Sequence, residues 1–140
     1  MQSQLYPNYY PPLCPPQAVQ PNDQVVYRLV NHDPPIESDF LSVRQQSPTR
    51  KDIRDECRAC GLSMFTSYDD AIGQNDALSK TTFFKRKQLP KMLVAHGQTK
   101  SECGVTMKTP MNERPSHVTY WLFKDSKVHN DFAVVREKEK

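Results

Sequence analysis

The chain has 140 residues, of which 36% are hydrophobic and 25% are charged, enough for one domain with a modest core. Its 19 basic and 16 acidic residues give a net charge of +3, an excess too small to indicate a nucleic-acid-binding protein. No segment approaches the roughly 18 consecutive apolar residues of a transmembrane helix, and residues 1–10 lack the basic and apolar parts of a secretory signal. We therefore expect a cytoplasmic protein that does not enter a membrane.

Residues 1–24 differ in composition from the rest of the chain, because six of the twelve prolines lie there. Proline fixes φ and removes a backbone donor, so this arm is predicted to be extended, without helix or central strand. Tyr6, Tyr9 and Tyr10 are interspersed among the prolines. The arm is either disordered or docks its tyrosines on its own domain or on a partner.

The folded domain is predicted to span 25–136, followed by a charged tail at 137–140. Runs of β-branched and aromatic residues predict six short strands at 25–30, 61–65, 92–96, 104–108, 117–123 and 132–136. Ser67 is suited to cap a helix that ends near Leu78, whereas 36–60 predicts a loop with one or two helical turns. Too few helices alternate with strands for a doubly wound sheet. The expected fold is therefore α+β, with a mixed or antiparallel sheet of about five or six strands and one or two helices.

Three of the four cysteines are candidate metal ligands. Cys57 and Cys60 form a C-x-x-C pair, which can supply half of a tetrahedral zinc site. Cys103 is the candidate third thiolate, with His96 or His117 as a further ligand. A redox role for the pair needs a thioredoxin-like strand-to-helix setting, and the pair instead precedes a glycine and a strand. The even number of cysteines could form two disulfides in a secreted chain. In a reducing cytosol, free thiols or a metal site are favoured over disulfides, and small half-buried thiols are the default.

The strand predicted at 117–123 contains the only tryptophan of the chain. His117, Thr119 and Trp121 would share one of its faces, because side chains alternate along a strand. A buried imidazole or hydroxyl must be hydrogen-bonded. This face therefore either holds a satisfied structural histidine, which is the commoner case, or lines a pocket in which Trp121 stacks on a ring.

The stretch 77–101 contains six basic residues and no acidic residue. Two phenylalanines directly precede its basic cluster, which consists of Lys85, Arg86 and Lys87. Basic groups beside aromatic rings suit phosphate contact together with base stacking, so these three residues are candidate nucleic-acid ligands. The same pattern also fits a solvated loop anchored by the two phenylalanines.

Arg28 lies in the middle of the apolar strand predicted at 25–30, where an unpaired charge is costly to bury. It either meets a carboxylate inside the protein or reaches a cleft where it binds an anion. The structural alternative is favoured, and Asp39 and Glu37 are the nearest acidic candidates in the sequence.

Several segments together resemble a group of uncharacterised bacterial proteins. These segments are Y-R-L-V at 27–30, P-P at 34–35, D-F at 39–40, G-L-S-M-F at 61–65, D-A at 70–71 and H-V-T-Y-W at 117–121. They extend over most of 25–123. The resemblance implies a bacterial protein, and it carries no function that can be transferred.

The order of polar residues also resembles that of the ADP-ribosyltransferase-like fold. Such domains often place Arg or His on a first strand and Ser, Thr or Tyr on a second strand that a helix follows at once. A late strand then carries an acidic or polar residue. Arg28 matches the first position, and Ser63 or Thr66, just before the helix at Ser67, matches the second. Glu113, a candidate for the third, lies in a proline-flanked loop instead of a strand.

This second resemblance implies an enzyme that uses NAD or another nucleotide. Arg28 would bind the pyrophosphate by its bidentate fork, and Ser63 and Thr66 would bind ribose. Trp121 or Tyr68 would stack on a ring. His117 completes the set of candidate catalytic residues.

The leading interpretation is a non-enzymatic interaction or accessory domain of a bacterial system, whose partner is another protein or a nucleic acid. The sequence contains no Walker loop, dinucleotide-binding glycine motif, nucleophile elbow or H-E-x-x-H motif, so it lacks a complete catalytic motif. The tyrosine–proline arm and the basic stretch both favour binding. The alternatives are a small ADP-ribosyltransferase-like enzyme and a zinc-stabilised module.

Overall fold

The computed structural model describes residues 5–135, and its centre is one antiparallel sheet. The strands are β1 (Val25–Val30), β2 (Leu62–Phe65), β3 (Leu93–Gln98), β4 (Gly104–Lys108), β5 (His117–Leu122) and β6 (Phe132–Val134). They lie in the order β4-β5-β2-β1-β3-β6, and every neighbouring pair is antiparallel. All six strands coincide with predicted ones. Position 136 of the last predicted strand and the predicted tail at 137–140 lie outside the described residues.

Four α-helices and two 3-10 turns accompany the sheet over the described residues. The helices are α1 (Val43–Gln46), α2 (Glu56–Ala59), α3 (Tyr68–Ser79) and α4 (Thr82–Lys87), and the 3-10 turns are Glu37–Phe40 and His129–Asp131. The predicted α+β class is confirmed, with more helices than the one or two expected. Both α1 and α2 are single turns within the region 36–60, where the sequence predicts helical turns.

Helix α3 begins where the sequence predicts it. Ser67 accepts a hydrogen bond from the backbone N–H of Asp70, with 3.2 Å between Oγ and N, and Asp70 also suits the positive end of the helix dipole. The buried Asn75 then joins the helix to the start of β3, because its side chain bonds both the N–H and the C=O of Met92. These bonds hold α3 against one face of the sheet.

The sheet separates two apolar faces, because side chains alternate along each strand. On the Phe40 face, Val26, Met64 and Tyr120 pack with Phe40 of the first 3-10 turn. On the α3 face, Phe65 packs beneath helix α3. The two faces contain separate hydrophobic clusters.

The predicted alternation along β5 is confirmed. Val118 and Tyr120 belong to the cluster on the Phe40 face. His117 pairs with Phe65 in the register of β2 and β5, so His117, Thr119 and Trp121 lie on the α3 face. Trp121 is fully buried, whereas His117 is only partly buried.

The described part of the proline-rich arm, 5–24, docks on its own domain, which is one of the alternatives that the sequence leaves open, and 1–4 lie outside the described residues. Tyr6 and Tyr10 pack against the cluster around Trp121. The Tyr10 hydroxyl donates a hydrogen bond of 3.0 Å to the carbonyl of Leu122. The arm is therefore a cover over the end of β5.

Two further links attach the arm to the sheet. Gln20 exchanges two backbone hydrogen bonds of 2.9 Å with Thr106, so the arm adds one strand-like bridge to the edge strand β4. Cys14 forms a disulfide with Cys57, 43 residues further along the chain. The expectation that the thiols are free is therefore wrong for these two cysteines.

The basic stretch 77–101 contains the helix α4, whereas a solvated loop is one of the two predictions from the sequence. Thr81 caps α4 by accepting a hydrogen bond from the backbone N–H of Phe84, and Gln88 ends it in the left-handed conformation with φ of 56°. The basic cluster lies in the last turn, where the helix dipole favours positive charge. Between residues 5 and 135, no helix has the length and apolar character needed to cross a membrane.

Candidate functional site

The α3 face carries a hydrogen-bonded serine and histidine. Ser63 and His117 lie on the adjacent strands β2 and β5, and 3.0 Å separates the Ser63 Oγ from the His117 Nε2. Ser63 is exposed in an otherwise buried strand, so solvent reaches its hydroxyl. The two residues are diagonal neighbours, because Ser63 is directly opposite Thr119.

Thr109 contacts the imidazole of His117 and favours one of its two tautomers. The His117 Nδ1 lies 3.0 Å from the backbone carbonyl of Thr109 and 2.8 Å from its hydroxyl. The carbonyl oxygen can only accept a hydrogen bond, so it favours the tautomer with the proton on Nδ1 over the one in which the Thr109 hydroxyl donates to Nδ1. Nε2 is then the unprotonated nitrogen, and it accepts a hydrogen bond from the Ser63 hydroxyl. The Thr109 hydroxyl continues the chain to the Thr119 hydroxyl at 2.9 Å.

The surroundings of His117 favour its neutral form. Burial lowers the pKa of His117 from its ordinary value, and the positive charge of Arg58 on α2 lowers it further, although the hydrogen bond to the Thr109 carbonyl opposes both effects. The imidazole is therefore a neutral acceptor at pH 7. An exposed hydroxyl that donates to a neutral imidazole, which a third group orients, has the arrangement of an activated nucleophile.

Arg28 touches the same serine from the other side of the sheet. Its Nη1 donates a hydrogen bond of 2.8 Å to the carbonyl of Ser63, and its Nε donates one of 3.0 Å to the carbonyl of Asp39. A longer contact of 3.5 Å joins Nη2 to the carbonyl of Leu41, and the guanidinium lies over the ring of Phe40. The guanidinium is thus engaged by main-chain oxygens and an aromatic ring.

The Asp39 carboxylate, in contrast, forms its hydrogen bonds within the loop between β1 and the first 3-10 turn. It accepts hydrogen bonds from the backbone N–H groups of Asn31 and Ile36 and contacts the imidazole of His32. Burial alone would raise the pKa of Asp39, but these hydrogen bonds outweigh it and lower the pKa. Burial lowers the pKa of Arg28, and the Asp39 charge opposes that shift. The proposed pairing of Arg28 with Asp39 therefore operates through the Asp39 carbonyl and through charge at a distance.

The sheet keeps Arg28 apart from the serine–histidine pair. Tyr27 is opposite Phe65, which is opposite His117, so these side chains share the α3 face. Arg28, one residue along, therefore projects to the Phe40 face. A single pocket that joins its guanidinium to the Ser63 hydroxyl and to His117 does not form.

The other positions of the transferase-like pattern lie outside this contact. Thr66 follows β2 and donates its backbone N–H to the carbonyl of Ser116. Glu113 lies in the loop before β5, where its carboxylate is 3.6 Å from Arg114. The sequence pattern thus identifies Ser63 and His117, but it does not identify Thr109, for which a threonine before a proline gives no distinguishing signal.

The candidate zinc ligands do not form a metal site. Cys57 is in the disulfide with Cys14, and Cys60 and Cys103 are free thiols that belong to different hydrophobic clusters. Among residues 5–135, no group of three or more His, Cys, Asp or Glu side chains is arranged to hold a metal ion. Burial raises the pKa of Cys60 to about 11, so this thiol stays protonated at neutral pH.

Docking of the arm creates a cleft that the sequence does not predict. It has a volume of about 300 Å³ and lies between the arm and the chain around the two 3-10 turns. Its lining includes Tyr9 and Tyr10 of the arm, the apolar Phe40 and Leu62, and His129. Ser63 and His117 are not part of it.

Comparisons with protein-family models, curated proteins and solved structures find no match for this chain. Its function is therefore argued from its own residues.

Proposed function

We propose that the protein is an interaction domain of a bacterial system that binds an acidic segment of another protein through its α4 surface. The α4 surface consists of α4 and the chain that leads from it into β3. Its basic cluster, Lys85, Arg86 and Lys87, is the observation that carries the proposal, because all three side chains are exposed.

The charges of the basic cluster are not neutralised within the described part of the chain. Lys91 pairs with Asp76, and Lys100 pairs with Asp131 at 3.0 Å. No salt bridge of residues 5–135 includes a member of the basic cluster. The cluster is therefore free to attract an anionic partner.

Apolar side chains beside the cluster favour a protein over a nucleic acid. Phe83 is 61% exposed, Leu89 41% and Leu93 37%. Phenylalanine suits either partner, but leucines do not stack on bases, whereas an acidic amphipathic segment matches both the charges and the apolar groups. The net charge of only +3 agrees with a local charged patch rather than a nucleic-acid footprint.

Fluorescence anisotropy with a labelled peptide rich in Glu and Leu tests this proposal. We expect binding that weakens with salt and is lost when Lys85, Arg86 and Lys87 are replaced by alanine. The matched control replaces three other exposed cations, Lys51, Arg54 and Lys124, and is expected to bind like the native protein.

A Phe83→Ser variant separates specific docking from simple charge attraction, because it keeps every charge. Weaker peptide binding by this variant supports the proposal. Equal losses in the two triple variants, or no binding at low salt, would refute it. Tighter binding of single-stranded oligothymidylate than of the peptide would assign the surface to nucleic acid instead.

A second candidate is an ADP-ribosyltransferase-like enzyme that uses NAD or a nucleotide. The observation in its favour is that Arg28, Ser63 and His117 lie on three adjacent strands, with α3 directly after β2. Arg28 speaks against this candidate, because its guanidinium already donates to two main-chain carbonyls and is not free to bind pyrophosphate. Millimolar NAD should raise the melting temperature of the native protein but not of Ser63→Ala, and no shift in the native protein would reject this candidate.

A cytoplasmic location remains a prediction, and one feature opposes it. Disulfides are rare in the cytosol and common in oxidising compartments, so the bond between Cys14 and Cys57 favours an oxidising environment. Rapid alkylation of freshly lysed cells, followed by mass analysis, distinguishes the two. Two alkylated thiols indicate the disulfide, whereas four indicate a reduced, cytosolic protein.

A further inference from the structure

We infer that Ser63 is a nucleophile, with His117 as its general base, and that the pair hydrolyses small carboxylic esters. This activity goes beyond the proposed binding function and uses a different part of the molecule. The inference rests on the serine–histidine–carbonyl chain on the α3 face, which no binding role of α4 requires.

The direction of the hydrogen bonds carries the argument. The Thr109 carbonyl accepts from Nδ1, so the lone pair of Nε2 is directed at the Ser63 Oγ, 3.0 Å away. A structural histidine needs partners of either polarity, but a general base needs its free nitrogen on a group that can lose a proton. Ser63 is such a group, and Thr109 is a positioning residue that holds the ring.

The hydroxyl is accessible although its base is mostly covered. Ser63 is exposed, whereas its neighbours Leu62 and Met64 are buried. It lies between two covered parts of the α3 face, namely the region beneath α3 and the cluster beneath the arm. A small ester can therefore approach Ser63 from solvent while the imidazole remains partly shielded from water.

Arg58 supplies positive charge on the same side. It is exposed, at the end of α2, and its charge acts on His117. A guanidinium near the reacting carbonyl stabilises the negative charge that develops on the carbonyl oxygen. Gly61 links α2 to β2, and it leaves no room for a Cβ, because that atom would overlap with Thr119. This close contact keeps α2 next to Ser63.

The reaction proceeds in two balanced steps. In the first, the Ser63 Oγ bonds to the acyl carbon, its proton moves to the His117 Nε2, and the ester C–O bond breaks as that proton passes to the departing alcohol. In the second, water attacks the acyl-serine while giving a proton to Nε2. The serine oxygen leaves with that proton, so the acid is released and Ser63 is restored.

Labelling of the full chain with diisopropyl fluorophosphate tests the nucleophile. The Ser63 oxygen displaces fluoride from phosphorus, and the intact mass rises by one diisopropylphosphoryl group. We expect this group on Ser63, no labelling of Ser63→Ala, and labelling about 100-fold slower in His117→Gln. The control Ser101→Ala removes another exposed hydroxyl and should label like the native protein. Release of p-nitrophenol from p-nitrophenyl acetate should follow the same order among the variants.

The pH profile of the native protein needs no variant that might fail to fold. Labelling should slow as pH falls through the lowered pKa of His117, which lies below the ordinary histidine value of about 6.5, because protonated Nε2 cannot accept the serine proton. Arg58 is the charged group that acts on His117 from the element packed beside it, so Arg58→Gln should move the midpoint to higher pH. Labelling elsewhere than Ser63, or at a rate independent of His117 and of pH, would overturn the inference.

Discussion

Ser63 makes two polar contacts on opposite faces of the sheet, and they differ in whether the partner group is free to react with a ligand. Through its carbonyl it accepts a hydrogen bond from Arg28, whose guanidinium also binds the Asp39 carbonyl and covers an aromatic ring. Through its hydroxyl it bonds the neutral His117, and Ser63 is exposed whereas His117 is partly buried. A charged residue in an apolar strand is thus structural when its donors end on the main chain. Ser63 and His117 are the better candidate for a reactive site, because their hydrogen bond joins a hydroxyl to a neutral imidazole.

Arg28→Met should have the largest effect on stability. Methionine fits the apolar face but leaves the carbonyls of Ser63 and Asp39 without their donor and removes the positive charge near the Asp39 carboxylate. We expect a loss of about 4 kcal/mol in the free energy of unfolding, measured in urea. The control Arg50→Met, at an exposed ion pair, should change it by less than about 0.5 kcal/mol. A near-native stability of Arg28→Met would show that the arginine is free for a ligand.

Replacement of both Cys14 and Cys57 by serine should lower the free energy of unfolding somewhat less than Arg28→Met does. The disulfide closes a loop of 43 residues between the arm and the domain, and removal of such a bond costs about 3 kcal/mol. Cys103→Ser changes a thiol outside the disulfide and serves as the control.

The two losses test whether the faces of the sheet are independent. Arg28 lies on the Phe40 face and the disulfide lies with Trp121, so the losses should add to within about 0.5 kcal/mol in the combined variant. A marked departure from additivity would show that the two faces are coupled.

The smallest expected effect is a dependence of the free energy of unfolding on pH, which arises from His117 on the α3 face. The pKa of His117 is lowered in the folded protein, so at pH values between that pKa and about 6.5 the unfolded chain binds more protons. Stability should therefore fall as pH drops below about 6.5 and level off once the folded state is also protonated. His117→Gln should remove this fall. An unchanged profile in the variant would assign the pH dependence to another histidine.

Most of the sheet could be predicted from local patterns. β1 and β4 have the predicted ends, and the alternation of β5 places His117 and Thr119 on the face expected for them. The Ser67 cap is also where the sequence indicates it. In each case, residues close together in the sequence determine the outcome, so side-chain shape and alternation were sufficient signals.

The remaining features depend on contacts between distant residues. Cys14 meets Cys57, 43 residues further along the chain, because the arm folds back over β5. No local sequence pattern selects that pairing. Thr109 meets His117 only through the hairpin of β4 and β5. The six-residue α4 is too short for a visible periodicity, so Thr81 and the basic last turn were its only signals.

Trp121 gives the molecule an optical property of its own. It is the only tryptophan, it is fully buried, and its Nε1 donates a hydrogen bond of 2.8 Å to the carbonyl of Cys57. Disulfides quench the fluorescence of neighbouring indoles, so the oxidised protein should emit weakly and at short wavelength. Reduction should brighten this emission, and detachment of the arm should shift it to the red as water reaches the ring. The intrinsic fluorescence of the unlabelled chain therefore reports separately on the oxidation state of the disulfide and on the position of the arm.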